Sequence, residues 1–158
     1  MRTMDTEDLD LHRSTLRALT RLMSQWSSLE LQRQITADCG VSLDPVSVRA
    51  LYGLGTAGGT SSPSALADEL HLTRPSTSKL IARLVDAGLV DRHPDESDGR
   101  SVQLELTEEG RRTFETLFDA GVDMLVTTTA GWDRADLRAL ATLLTRFTGG
   151  TTTDRPTP

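Results

Sequence analysis

The stretch SPSALADELHLTRPSTSKLIARLVDAGLVDR, residues 62–92, carries the pattern from which the fold can be predicted. Ser62 and Thr73 each stand before a first turn that contains proline, and this combination marks the start of a helix. Apolar residues then recur every three or four positions, and Gly88 ends the second run. We therefore predict a helix–turn–helix over about residues 62–88. Its residues expected to be buried are Leu66, Ala67, Leu70, Leu80, Ile81, Leu84 and Val85.

Two short segments with the character of strands follow the helix–turn–helix. They are LVDRH, residues 89–93, and SVQLEL, residues 101–106, and the loop between them contains Asp98-Gly99. Alternating apolar and polar residues around a turn signal of this kind are typical of a β-hairpin. We predict a hairpin, or wing, over about residues 89–106. The side chains expected to face the core are Val102, Leu104 and Leu106.

Helical patterns flank this region on both sides. One continuous pattern runs from about Asp8 to Asp38, and a second helix begins at Asp44-Pro45. The segment GLGTAGGTSS, residues 53–62, is predicted to be a flexible loop because it is rich in glycine. A long helix opens near Thr107, and Asp133 precedes the last one.

These elements predict a mainly α fold with a small β-wing, of the α+β class. A winged helix–turn–helix lobe over residues 44–111 is joined to N- and C-terminal helices, residues 8–40 and 112–148, which form a dimerisation domain. Residues 1–7 and 149–158 are polar and are predicted to be disordered.

The terminal helices have more apolar surface than a small winged helix can cover. A C2 homodimer would bury this surface and would match the dyad of a palindromic DNA site. The alternative is a helical bundle within a monomer. The residues proposed for the dimer contact are Leu9, Leu16, Leu19, Phe118, Leu125, Leu137, Leu140 and Leu144.

The distribution of charge indicates a local binding face for nucleic acid. The net charge of −6, from 17 basic and 23 acidic residues, would on its own disfavour such a partner. Between Thr73 and Leu84, however, basic residues occur without any acidic one. A helix N-terminus with hydroxyls and cations suits phosphates and base edges, so we predict that helix 73–87 binds double-stranded DNA in the major groove. The proposed contacts are Arg74, Ser76, Thr77, Ser78, Lys79 and Arg83.

The wing resembles the signature of the MarR family, the multiple-antibiotic-resistance type regulators. Asp98-x-Arg100 is followed after five residues by Leu106-Thr107, and after two more by Gly110, in the manner of that family. The segment LTRPSTSKLIARLVDAGLVDR resembles the family's recognition helix and the start of its wing. The likeness of layout extends over about residues 8–148.

The resemblance implies a homodimeric transcriptional regulator, usually a repressor, that binds a pseudo-palindromic operator. It implies that the wing-tip Arg100 enters the minor groove, and Asp98 is close enough in sequence to orient the guanidinium. It also implies release by a small lipophilic or phenolic anion bound between the dimerisation helices and the DNA-binding lobe. Trp26, Arg49 and Tyr52 are candidates for lining such a crevice.

Two other functions remain open from the sequence. The first is a winged-helix protein-interaction module without operator binding, which the net charge and the acidic wing favour. The second is a regulator that senses oxidants through Cys39, the single cysteine. This residue lies beside Asp38 rather than in the basic setting that reactive thiols need.

No enzyme, cofactor or metal site is indicated. The three histidines are scattered, and no nucleophile–base set is found. Residues 53–58 match G-x-G-x-x-G, but they follow a helix rather than the strand that a dinucleotide site requires. Without a secretory signal or a run of about 18 apolar residues, a cytoplasmic protein without membrane contact is expected.

Overall fold

The computed structural model describes residues 5–26, 28–94 and 101–150. These residues form seven helices and three short strands, which confirms the predicted mainly α fold with a small β-wing. In chain order the elements are α1 Thr6–Trp26, α2 Leu29–Asp38, α3 Pro45–Thr56, β1 Thr60–Ser61, α4 Pro63–Leu70, α5 Arg74–Asp86, β2 Val90–Pro94, β3 Val102–Leu106, α6 Glu108–Thr128 and α7 Arg134–Gly150.

The chain divides into two compact units, and the boundary falls within α6, after Ala120. The first unit contains α1 to α5, the three strands and the beginning of α6. The second contains the rest of α6 and α7. The winged helix–turn–helix therefore lies entirely in the first unit.

The predicted starts of three helices are confirmed by their capping geometry. Asp44, Ser62 and Thr73 precede α3, α4 and α5, and each has an extended backbone at the cap. Each side chain accepts a hydrogen bond from an amide two or three residues later, at 3.1 to 3.4 Å. Proline in the first turn loses no hydrogen bond there, because those amides have no partner within the helix.

The turn of the helix–turn–helix is formed by His71 and Leu72. His71 caps the end of α4 with a left-handed backbone, φ 54°, and the Leu72 amide donates to the carbonyl oxygen of Ala67 at 2.9 Å. The Leu72 side chain packs against the core. The turn changes the direction of the chain, and α5 packs against α4.

The core of the lobe forms where α3, α4, α5 and the sheet meet, and Leu117 of α6 belongs to the same cluster. Burial of one such leucine stabilises the fold by about 1.5–3 kcal/mol. The prediction for Val85 is wrong, because this side chain is 37% exposed. It lies about 100° around the helix from Leu84 and falls outside the buried stripe. The buried apolar residues are Ala50, Leu51, Leu54, Leu66, Ala67, Leu70, Leu80, Ile81, Leu84, Leu89, Val90, Leu104, Leu106 and Leu117.

The predicted hairpin is confirmed as part of an antiparallel sheet with the strand order β1-β3-β2. In the register, Val90 pairs with Leu106 and Pro94 pairs with Val102. Leu104 and Leu106 are buried, and Val102 packs on the core from a partly buried position. The alternation of β3 therefore identified its inner face correctly.

The segment 53–62 is not the flexible loop that was predicted. Its first four residues continue α3 to Thr56, and Thr60–Ser61 form strand β1 against β3. The glycines in α3 serve close packing: a Cβ at Gly53 would lie 2.6 Å from Oε1 of Glu69, and one at Gly55 would overlap the ring of Phe114. These glycines leave room for the neighbouring side chains and do not indicate a flexible backbone.

The long N-terminal helix predicted over residues 8–38 is also wrong, because two helices occupy this region. α1 ends at Trp26, and Ser28 caps α2 by accepting a hydrogen bond from the Leu31 amide at 3.5 Å. A serine side chain that competes for backbone hydrogen bonds favours such an interruption.

The predicted disorder of the two ends is corrected where the structure describes them. Residues 6–7 belong to α1 and residues 149–150 belong to α7. Residues 1–4 and 151–158 lie outside the described residues.

The connection from the wing to α6 explains the Leu-Thr-x-x-Gly part of the wing motif. The Thr107 hydroxyl donates to the carbonyl oxygen of Gly88 at 2.6 Å and accepts from the Gly110 amide at 2.9 Å. The Thr107 amide donates to the Leu89 carbonyl oxygen at 3.1 Å. Gly110 is required because a Cβ at this position would overlap that carbonyl oxygen. The motif thus attaches the base of the wing to α6.

Candidate nucleic-acid interface

The exposed face of α5 carries most of the residues predicted to contact DNA. Arg74, Ser76, Ser78, Lys79 and Arg83 are all exposed on this helix, whose opposite face is buried in the core. At its N-terminus the Thr73 hydroxyl donates to the Ser76 hydroxyl at 3.0 Å. The helix contains no acidic residue before Asp86. A helix packed on the core therefore presents cations and hydroxyls together.

Thr77 does not belong to this face, contrary to the prediction. It is 3% exposed, and its hydroxyl donates to the Thr73 carbonyl oxygen at 3.0 Å. Its position is three residues before Leu80 and four before Ile81, so it shares their buried stripe. The Thr77 hydroxyl is thus engaged within the first turn of α5.

Arg83 is exposed but has a partner. Its Nη2 lies 3.6 Å from Oδ1 of Asp44, the cap of α3. Burial raises the pKa of the Asp44 carboxyl, but hydrogen bonds from Ser47 and Val46 and the charge of Arg83 outweigh this effect, so the pKa lies below its usual value. Asp44 is therefore charged at neutral pH. The sequence identified Asp44 as a cap but contained no signal of its contact with Arg83.

The tip of the wing, including the predicted Asp98 and Arg100, lies outside the described residues. At the base of the wing, Arg92 and His93 are exposed on β2, next to the described end at Pro94. Glu105 on β3 receives a hydrogen bond from Arg111 of α6 at 3.2 Å and lies 3.9 Å from Nε2 of His93. The Glu105 carboxylate therefore has partners within the protein. Arg92 is a basic position that was not among the predicted contacts.

A cleft of about 580 Å³ separates the helix–turn–helix from the base of the wing. Arg74 and Ser78 of α5 line one side, Asp68 of α4 lies beside them, and Ser101 and Val102 form the wing side. The wing and α5 therefore present two adjacent surfaces with a concave gap between them.

The proposed effector residues Trp26, Arg49 and Tyr52 line neither this cleft nor the cavity beside Cys39. Tyr52 is half-buried, and its hydroxyl donates to the Leu117 carbonyl oxygen at 2.7 Å. Its ring meets Phe114 edge-on, with centroids 5.9 Å apart. Burial raises the pKa of the Tyr52 phenol, and Cys39 adds to this effect. Trp26 and Arg49 are both exposed.

Cys39 borders a cavity of about 340 Å³, which is also lined by Val41, Leu89, Arg112 and Thr116. Its Sγ donates to the Thr116 carbonyl oxygen at 3.8 Å. Burial raises the pKa of the Cys39 thiol, and the charge of Asp38 raises it further. A protonated thiol is a poor nucleophile, so the surroundings do not favour oxidant sensing.

We expect Cys39 to react with a disulfide reagent such as DTNB more slowly than free glutathione does at pH 7 to 8, because less of it is thiolate. Because the chain has one cysteine, the rate belongs to this residue alone. The urea-unfolded protein should regain the rate of a free thiol. A reaction rate of the native protein above that of glutathione, together with loss of DNA binding in peroxide, would support the hypothesis that Cys39 senses oxidants.

The residues proposed for dimerisation leave apolar surface exposed in each unit. In the first unit, α1 has no buried residue, and Leu16 is 65% exposed. In the second unit, the exposed apolar residues of α7 include Leu137 and Leu144. Phe118 and Leu125 of α6 are also exposed, whereas Leu9, Leu19 and Leu140 are half-buried.

The described part of the chain contains no cluster of three or more histidine, cysteine, aspartate or glutamate residues placed to hold a metal ion. Within the same residues, no helix is both long and apolar enough to cross a membrane.

Comparison with solved structures finds the same fold. A MarR family protein from Bacillus stearothermophilus matches with a TM-score of 0.74 and 20% identity, over 96% of this chain and 100% of that one. NadR in complex with 4-hydroxyphenylacetate matches with a TM-score of 0.61 and 24% identity, over 93% of this chain and 95% of that one.

Sequence comparison agrees with the fold. Residues 41–101, which include the helix–turn–helix and most of the wing, match the model of the MarR family. The chain is also 34% identical over 105 residues to the uncharacterized HTH-type transcriptional regulator Mb0904 of Mycobacterium bovis. That match covers 63% of this chain and 73% of the relative. The chain belongs to the MarR family of winged helix–turn–helix transcriptional regulators.

Proposed function

We propose that this protein is a cytoplasmic homodimer that binds a pseudo-palindromic operator, represses transcription there and is released by a small-molecule effector. The observation that carries the proposal is the exposed face of α5, where Arg74, Ser78 and Lys79 stand on a helix anchored by the core. A helix of this kind fits the major groove, and arginine and lysine bind guanine edges there. Arg100 at the wing tip contacts the adjacent minor groove.

The second part of the proposal is that two chains bind one operator. Residues 44–111 act as the DNA-binding lobe, and residues 8–40 and 112–148 provide the dimer contact. Exposed apolar side chains on α1, α6 and α7 support this assignment, because isolated chains seldom leave so many in water. A twofold dimer binds half-sites about one helical turn apart.

The third part concerns the effector, for which a phenolic or other lipophilic anion is the proposed class. NadR, which shares the fold, was solved with 4-hydroxyphenylacetate bound. Trp26, Arg49 and Tyr52 remain the proposed lining in the dimer, with Arg49 as the exposed cation for the anionic group. Aromatic rings and one cation are suited to a ligand of this kind.

Operator binding is tested by fluorescence anisotropy with duplexes tiled from the DNA upstream of the gene, at several salt concentrations. We expect one duplex to bind two chains, with an affinity about 10³-fold or more above a scrambled duplex and a steep dependence on salt. Absence of a salt-dependent shift on every duplex would reject the proposal and favour the protein-interaction module.

Replacing Arg100 by alanine should weaken operator binding without changing the thermal midpoint. A minor-groove arginine contributes to affinity through charge and shape, so we expect a loss of about 1–3 kcal/mol in binding free energy. The matched control is Arg33→Ala, which removes a cation exposed on α2, and light scattering verifies that both variants remain dimers. Operator affinity equal to that of the unmodified protein would show that the wing arginine makes no contact.

A further inference from the structure

Asp44 is fixed at the start of α3 by hydrogen bonds that the core supports. Its Oδ1 accepts from the Val46 and Ser47 amides at 3.1 and 3.2 Å, and its Oδ2 accepts from the Ser47 hydroxyl at 2.6 Å. Ser47 is completely enclosed by the lobe. The carboxylate is therefore a stationary negative charge beside α5.

Arg83 is the more exposed member of the ion pair. Its side chain is more than half exposed, and 3.6 Å separates its Nη2 from the Asp44 carboxylate. It follows Lys79 by four residues, so both cations lie on one face of α5. An exposed pair at this distance is weak, and a phosphate can therefore compete with Asp44 for the guanidinium.

We infer that Asp44 is a positioning residue that increases discrimination between the operator and other DNA, an inference that rests on the proposed operator binding. On any duplex, Asp44 competes with the phosphates for Arg83. This competition weakens the attraction between the protein and DNA that does not depend on the base sequence. On the operator, α5 docks in one register, and a guanidinium already held by Asp44 is oriented for its contact. The ion pair therefore weakens non-specific binding more than operator binding.

The charge of Asp44 can be removed without removing the helix cap, because asparagine caps helices as well as aspartate does. The experiment uses the full-length protein with Asp44→Asn, Arg83→Gln and the double substitution. Binding to operator and scrambled duplexes is measured by anisotropy at several salt concentrations. Asp44→Ser is a second variant that keeps a capping oxygen, and thermal melting verifies that each variant is folded.

We expect Asp44→Asn to increase affinity for the scrambled duplex by about two- to fivefold, which falls within the range of one exposed ion pair. The slope of log affinity against log salt should steepen by up to about 0.9, since one further phosphate is neutralised. Operator affinity should change less, so the specificity ratio falls. In the Arg83→Gln background the same substitution should change affinity by less than about twofold, because the coupling needs both partners.

Glu108→Gln at the start of α6 is the matched control, since it makes the same change in net charge at an exposed site of the lobe, outside the segments proposed for the dimer contact. An equal effect of Asp44→Asn with and without Arg83 would overturn the inference and leave the proposed function standing, because Asp44 would then repel phosphates directly. An unchanged scrambled-duplex affinity would also overturn it. If the unmodified protein binds no duplex, the proposed function and the inference fall together.

Discussion

Substitution of Gly110 by alanine is expected to lower the free energy of unfolding by about 3 kcal/mol or more. A Cβ at this position would overlap the carbonyl oxygen of Leu89 and would lie 3.2 Å from Cδ2 of Leu106. A backbone carbonyl at the start of the wing cannot move away as a surface side chain can. The shift would also strain the hydrogen bond from the Gly110 amide to Thr107.

The measurement is urea unfolding followed by circular dichroism, and the matched control is Gly149→Ala on α7. A Cβ at Gly149 meets nothing within 4 Å, so alanine there should be neutral or stabilise the helix by up to about 1 kcal/mol. If both variants unfold at the same urea concentration as the unmodified protein, the close contact between α6 and the base of the wing is wrong.

Replacing Lys79 by alanine is expected to produce the largest loss of operator binding among the variants of α5, about 1–3 kcal/mol in binding free energy. Lys79 is the only lysine of the chain and is exposed on the face proposed for the major groove. In the described residues no carboxylate forms an ion pair with it, so its charge is fully available to DNA. The Arg83 guanidinium, by contrast, forms an ion pair with Asp44.

Comparison of two duplexes distinguishes the possible contacts of Lys79. A contact to a base would weaken binding to the operator but hardly to a scrambled sequence. A contact to a phosphate would weaken binding to both and reduce the salt slope by about one. Arg33→Ala on α2 again serves as the control for loss of one positive charge. Unchanged affinity for both duplexes would show that this face of α5 does not bind DNA.

Much of the lobe could be predicted because its signals are local. The caps at Ser62 and Thr73, the prolines after them and the spacing of Leu80 and Leu84 all act within a few residues. The same holds for the alternation of β3. The basic face of α5 followed from these patterns, since a correctly placed helix also places its exposed residues. The wing motif then indicated the family.

Other features depended on contacts between residues that are distant in the sequence. Gly53 and Gly55 lie in α3 with the Glu69 and Phe114 side chains beside them, whereas the glycine-rich composition alone indicated a loop. Strand β1 exists because β3, some forty residues later, offers it an edge.

The candidate site shows the same division between local signals and tertiary contacts. The sequence was sufficient to place Arg74, Lys79 and Arg83 on one helix with an exposed face. Only the packing of α3 against α5 brings Asp44 to 3.6 Å from Arg83, and only the core encloses Thr77. Local backbone preferences act over one or two helical turns, whereas burial and ion pairing are determined by which elements meet in three dimensions.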